Sequence, residues 1–207
     1  MRNPYLKLCL VTHRCHQSVE SYKNFLTQAV LGGVTSVQLR SKEQESTDFY
    51  GFADEVKNIL DSFNIPLIIN DHVELAKKIN AAGVHLGQSD MSPIEARKIL
   101  GRKKIIGWSI ETLEQLFIAN ELSCIDYVAA SAVFPSKTKT DCKTIWGIAG
   151  LKNIVRLSKY PVMAIGGINF HNISEVMAAG AAGVAVVSAI HDASDPAEAA
   201  EKLIKIC

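Results

Sequence analysis

The chain has 207 residues, 48% of them hydrophobic, with 22 Lys and Arg against 21 Asp and Glu and a formal net charge of +1. That apolar fraction excludes a disordered chain, and the near-zero balance gives no global pull toward nucleic acid or an anionic membrane. The length suits one large domain or two small ones with room for a hydrophobic core, and it lies near the lower limit for a βα barrel.

Apolar strands alternate with amphipathic helices along the chain. Residues 8–11 read as a first strand and 21–31 as a helix with Tyr22, Phe25, Leu26, Ala29 and Val30 on one face. Gly32 and Gly33 stop that helix. Residues 34–39 are the next strand, 47–63 a helix and 66–70 a short buried strand. A helix at 74–79 leads to Gly83 and a strand at 84–86. Ser92, Pro93 and Glu95 open a helix with a capping box and a proline at its first position, and Gly101 ends it. A strand at 105–108 and a helix at 112–120 follow, with Thr112 and Gln115 as a second capping pair. Residues 127–130 are a strand, and 134–147 form the longest polar connection. A helix near 151–157, a strand at 162–165, a helix at 172–179 and a strand at 184–187 come next, and Asp195-Pro196 opens a last helix toward 206.

That is about eight strand-helix units, the number in a TIM barrel. Gly33-Val34, Gly83-Val84 and Gly183-Val184 form a weak internal repeat, read as a glycine stop followed by a β-branched residue entering the sheet. A doubly wound open sheet fits the same alternation, but no Gly-x-Gly-x-x-Gly follows the first strand to suggest a dinucleotide site. No linker or composition shift divides the chain, so residues 1–207 are expected to form a single-domain (β/α)8 TIM barrel. The apolar run at 6–11 is too short for a signal peptide or a membrane span, and no later stretch is long and uncharged enough. Five cysteines (Cys9, Cys15, Cys124, Cys142 and Cys207) without CxxC spacing read as reduced thiols of a cytoplasmic protein.

In a barrel, the C-terminal ends of the strands carry the chemistry. Gln38, Arg40 and Lys42 alternate after the second strand and fall on one side of an extended segment, which suits an anionic ligand; an ordinary solvated strand end would look the same. Asn70-Asp71 follows the third strand and Gly87-Gln88-Ser89-Asp90 the fourth. Two carboxylates over the barrel mouth beside phosphate-binding cations suggest Mg²⁺ held between protein and a diphosphate. Against that, Asp71 is also placed to cap the following helix and Asp90 to shape a turn. His85, inside an apolar strand, reads as a core or supporting histidine rather than a base, and the remaining histidines show no zinc-ligand spacing. Ser136, Thr138 and Lys139 lie in the polar connection and suit phosphate oxygens. Gly166-Gly167 follows the seventh strand and Val187-Ser188 the eighth, where barrels often bind a phosphate through backbone N–H groups. No Ser-His-Asp or Cys-His set and no Schiff-base lysine is evident, so charge stabilisation of a leaving group fits better than covalent catalysis.

Taken in order, Gln38-Leu39-Arg40-Ser41-Lys42, Ile69-Asn70-Asp71, the run 83–90, Gly107-Trp108-Ser109, the run 134–139, the run 164–169 and the run 186–190 are jointly specific. The chain resembles the thiamine-phosphate synthase family over nearly its whole length. The resemblance implies a TIM-barrel transferase that joins hydroxymethylpyrimidine diphosphate to hydroxyethylthiazole phosphate and releases pyrophosphate. It implies Asp71 and Asp90 as Mg²⁺ ligands. It implies Gln38, Arg40, Lys42, Asn70 and Lys139 on the pyrimidine diphosphate, Ser109 beside the pyrimidine and its leaving group, and Ser136, Thr138, Gly167, Val187 and Ser188 on the thiazole phosphate. Ser109 and Lys139 stand as the catalytic pair, and the implied mechanism is dissociative, through a pyrimidine methylene cation. Ser41 replaces the usual Glu, Ser136 the usual Thr and Ser131 the usual Gly, and Glu111 stands where the Ser-x-His pattern places histidine. A related thiazole tautomerase, which uses a histidine in that loop, is the first alternative; a non-catalytic barrel that binds phosphorylated ligands is the second. Expected partners are small phosphorylated substrates, with no nucleic acid and no membrane, and the sequence leaves open a homo-oligomer.

Overall fold

The computed structural model describes residues 3–12, 18–40, 47–136 and 143–207, with the side chains of 47 and 48 outside that description. Eight strands form the sheet: β1 (Leu8–Thr12), β2 (Ser36–Leu39), β3 (Leu67–Asn70), β4 (Gly83–Leu86), β5 (Ile105–Ile110), β6 (Tyr127–Ser131), β7 (Val162–Ile165) and β8 (Gly183–Val186). They are parallel, neighbours in sequence are neighbours in space, and β8 returns to β1 through Cys9 opposite Ala185, which closes the barrel. Closure excludes the doubly wound open sheet and leaves no exposed edge. The helices are α1 (Val19–Leu31), α2 (Thr47–Ser62), α3 (Val73–Lys78), α4 (Pro93–Leu100), α5 (Leu113–Glu121), α6 (Gly147–Leu157), α7 (Ile173–Ala178), α8 (Ser188–His191) and α9 (Pro196–Ile204).

Alternation along each strand sorts the core into two layers. Leu8, Leu10, Val37, Leu39, Ile69, Val84, Leu86, Ile106 and Val128 face the helices and join one large apolar cluster with Leu26, Leu60 and Leu151. Cys9, Val11, Tyr127, Ala129, Met163 and Ala185 fill the barrel itself, and Leu6 packs with them from a short 3₁₀ turn at Pro4–Leu6. The Ser36 hydroxyl donates to the Tyr5 carbonyl at 2.6 Å and ties that turn under β2. The turn therefore floors the barrel, and the opposite end stays open.

The Gly-Val repeat is not one device. Gly33 does take a left-handed turn, with φ of 107°. Gly83 and Gly183 instead begin strands and are glycine because of space, not dihedral: a Cβ on Gly83 would overlap the Ile105 carbonyl, and one on Gly183 the Leu6 carbonyl. The turns before those strands are made by Asn80 (φ 55°) and Gly180 (φ 93°).

Helix starts follow the capping residues. The Thr112–Gln115 capping box is present in both directions, and Pro93 sits in the first turn of α4. At Ser92 only half of a box forms: its oxygen accepts from the Glu95 N–H, while its hydroxyl donates to the Glu95 carboxylate at 2.8 Å. Most bounds shift by a residue or two, and some of the differences have a structural reason. β5 and β6 run on to Ile110 and Ser131, because paired backbone continues through Ser109 and Ala130. α6 starts at Gly147, and α8 is an additional helix.

Candidate functional site

The open end of the barrel holds a cavity of ≈ 420 Å³ lined from every strand. Gln38, Arg40, Asn70, Asp71, Asp90, Ser109, Ser136, Gly167, Val187 and Ser188, all singled out from sequence, border it together. Lys42, Thr138 and Lys139, with Ser41, lie outside the described residues.

The β2–β4 side is polar and buried. Gln38 Nε2 donates to Asn70 Oδ1 at 2.9 Å, an orientation that fixes both amides. Asp71 adopts φ of 63°, and its N–H donates to the His85 carbonyl at 2.8 Å. It does not cap α3; His72 does, with Nδ1 accepting from the Leu75 N–H at 3.1 Å. A non-glycine residue held left-handed and relieved of capping points to a constraint set by the site. Burial pushes the Asp71 carboxyl up to about 7, the hydrogen bond and charge of Asp90 add to the rise, and Arg40 opposes it. Asp90 spends one oxygen on the turn, accepting from the Gly87 N–H at 2.6 Å. Two carboxyls close enough to share a proton, beside a guanidinium, form a place where a divalent cation could stand in for that proton. Among the described residues no group of three or more His, Cys, Asp and Glu could hold a metal. A pair suits Mg²⁺, which keeps waters and takes substrate oxygens.

Across β5 and β6 the wall is a hydrogen-bonded chain. His85 Nε2 lies 2.8 Å from Ser109 Oγ, and His85 Nδ1 lies 2.9 Å from the Tyr127 hydroxyl. Gln88 Nε2 donates to the Ser109 carbonyl at 2.6 Å. Glu111 is buried at the cavity wall, held by the α5 start: its N–H donates to Gln115 Oε1 at 2.6 Å. Sequence reasoning left its direction open. Lys143 also borders the cavity and was not singled out, since its place in a long polar connection carries no periodic signal.

On the β7–β8 side the lining is small. Gly166 and Gly167 take φ of 103° and 63°, and a Cβ on either would run into the connection after β6, at Ala132 and at Phe134–Pro135. The Phe134 N–H donates to the Gly166 carbonyl at 3.0 Å, so these glycines also hold that connection in place. Val187 is the N-cap of α8 and Ser188 its first residue. N–H groups in a helix's first turn have no partner within the helix and can serve an anion.

Residues 8–190 match the family model described as thiamine monophosphate synthase. A thiamine-phosphate synthase from Chlamydia abortus is 47% identical over 180 residues, 87% of this chain and 84% of that one. One from Vibrio parahaemolyticus is 47% identical over 174 residues, 84% of each chain. A solved structure of thiamine phosphate pyrophosphorylase from Pyrococcus furiosus superposes with a TM-score of 0.86 at 34% identity, covering 98% of this chain and 96% of that one.

Proposed function

Because this chain belongs to the thiamine monophosphate synthase family, we propose that it condenses hydroxymethylpyrimidine diphosphate with hydroxyethylthiazole phosphate, forming thiamine phosphate and releasing pyrophosphate. The observation that carries this assignment is the sorting of one cavity. Arg40 and the Asp71–Asp90 pair stand over β2–β4, and the small backbone-rich set Gly167, Val187 and Ser188 stands over β7–β8. One side suits a diphosphate and the other a monophosphate.

On this proposal Gln38, Arg40, Lys42, Asn70 and Lys139 hold the pyrimidine diphosphate, and Ser136, Thr138, Gly167, Val187 and Ser188 hold the thiazole phosphate. Asp71 and Asp90 would hold Mg²⁺, which when bound neutralises charge on the departing pyrophosphate. The reaction is dissociative. The methylene carbon–oxygen bond breaks and its electron pair leaves with pyrophosphate; the thiazole nitrogen lone pair then forms the new carbon–nitrogen bond. On the same reading Ser109 and Lys139 would serve as the catalytic residues toward the leaving group, and the barrier falls through fixed charges and through holding both substrates in line. The buried carboxylate of Glu111 replaces the histidine that a tautomerase of this barrel type uses, which favours the synthase.

We further propose one domain over residues 1–207 in the cytoplasm. In support, one closed barrel uses strands from residue 8 to residue 186, the described cysteines Cys9, Cys124 and Cys207 are free, and no helix among the described residues is long and apolar enough to cross a membrane. The deciding experiment is an assay with both substrates, with and without Mg²⁺. Thiamine phosphate should form only with the metal, and no product at saturating substrate would remove the synthase assignment.

A further inference from the structure

Ser109 and His85 both lie in the family motifs, but the Tyr127 that stands behind them does not. Tyr127, at the start of β6, packs inside the barrel, and its phenol ring fills the space that a side chain at residue 107 would need. The His85 imidazole lies stacked on it, with ring centroids 5.5 Å apart and planes at 26°. The chain then runs from the Tyr127 hydroxyl to His85 Nδ1 at 2.9 Å and from His85 Nε2 to Ser109 Oγ at 2.8 Å, where it meets the cavity.

Distance alone lets each link run either way, and Tyr127 decides. A buried phenol O–H needs an acceptor, and among the described residues the hydrogen bond of this hydroxyl goes to His85 Nδ1. Burial raises the phenol well above its ordinary pKa, so it keeps its proton. A donating Tyr127 makes Nδ1 the acceptor, which places the imidazole hydrogen on Nε2. Nε2–H then donates to Ser109 Oγ. With one lone pair engaged in that way, the Ser109 hydroxyl hydrogen is free to turn toward the cavity.

We propose that Tyr127 and His85 are positioning residues that orient the Ser109 hydroxyl as a hydrogen-bond donor to the departing diphosphate. The reverse orientation would spend the serine hydrogen on His85 and turn a lone pair toward an anion. A preorganised donor aimed at developing charge is the kind of group whose loss costs most in turnover. The proposal rests on the synthase assignment, since that reaction supplies the leaving anion.

Two measurements test it. Nitrogen-15 NMR of the labelled protein reads the His85 tautomer without any turnover: the hydrogen is expected on Nε2, and finding it on Nδ1 overturns the proposal. Kinetics read the coupling. Ser109→Ala should lower kcat roughly 100-fold. Tyr127→Phe keeps the ring and should lower kcat roughly tenfold, with KM for both substrates within about twofold of wild type. In the Ser109→Ala background, Tyr127→Phe should bring no further loss, because it acts through Ser109. Full additivity in the double variant, or an unchanged kcat in Tyr127→Phe, overturns the positioning role while an active wild type keeps the synthase assignment. A wild-type protein that forms no thiamine phosphate overturns both.

Discussion

At Asp71 the backbone and the side chain make the same demand. Its left-handed φ of 63° is the conformation that aims the carboxyl at Asp90 rather than at the α3 N–H groups, which His72 serves. Asp71→Asn and Asp90→Asn are each expected to lower kcat at least 100-fold while the protein stays folded, because either change removes one of two carboxylates proposed to hold the metal. Circular dichroism and the two-substrate assay check this together, and a wild-type rate in either variant would remove the metal site. The same pair sets a pH dependence in the metal-free protein. The Asp71 carboxyl is held up to about 7 against an ordinary 3.8, so the folded state binds the proton better than the unfolded one. The associated stability is full below about 3.8 and is lost as pH rises through about 7. Without metal, Asp71→Asn should therefore melt above wild type at pH 8, with the gap closing toward pH 4, and each kcal/mol recovered moves the midpoint by roughly 2–4 °C. Sequence alone could name Asp71 and Asp90 as carboxylates over adjacent strands. It could not choose between helix cap and ligand for Asp71, since that choice is a backbone angle and leaves no mark in residue type.

Elements with strong local codes were legible, and those built from long-range contacts were not. Ser92, Thr112 and Asp195 each cap the helix that follows, as short-range rules predict. α8 escaped, because four residues cannot display a helical period, and its start at Ser188 depends on where β8 ends. β5 and β6 outran their expected ends because Ser109 and Ser131 are polar residues inside paired strands, facing a cavity instead of an apolar core. The capping box of α5 joins local code to site. Gln115 Oε1 accepts from both the Glu111 and Thr112 N–H groups, at 2.6 and 3.2 Å, so the box that starts the helix also seats the Glu111 backbone at the cavity wall. Thr112→Ala removes the oxygen that accepts from the Gln115 N–H. It should lower the unfolding free energy by about 1 kcal/mol, read as a shift of the urea midpoint at constant slope. An unchanged midpoint would mean that the tertiary contacts of α5 hold the turn without its cap.

For the whole molecule, the count of strand-helix units already pointed to a barrel, but closure was invisible in the sequence, since an open doubly wound sheet shows the same alternation. What closes it is the fit of its interior. Gly107 leaves room for the Tyr127 ring, and Gly183 leaves room for the floor turn that carries Leu6. That floor ties the first residues of the chain to the last strand, with Leu6 buried among Cys9, Met163 and Ala185. A barrel knit in this way is expected to unfold as one unit, which is the physical content of the proposal that residues 1–207 form one domain. Leu6→Ala opens a cavity at a fully buried site and should cost about 2–5 kcal/mol. The loss should appear everywhere at once. Fluorescence from Trp108 in β5 and Trp146 ahead of α6 reports the second half of the chain, and far-UV circular dichroism reports all of it. In wild type and in Leu6→Ala both probes should give one coincident denaturant transition, moved as a whole by the substitution. A variant in which circular dichroism falls first while tryptophan fluorescence holds its wild-type midpoint would instead mean that the first strands and their floor unfold as a separate unit.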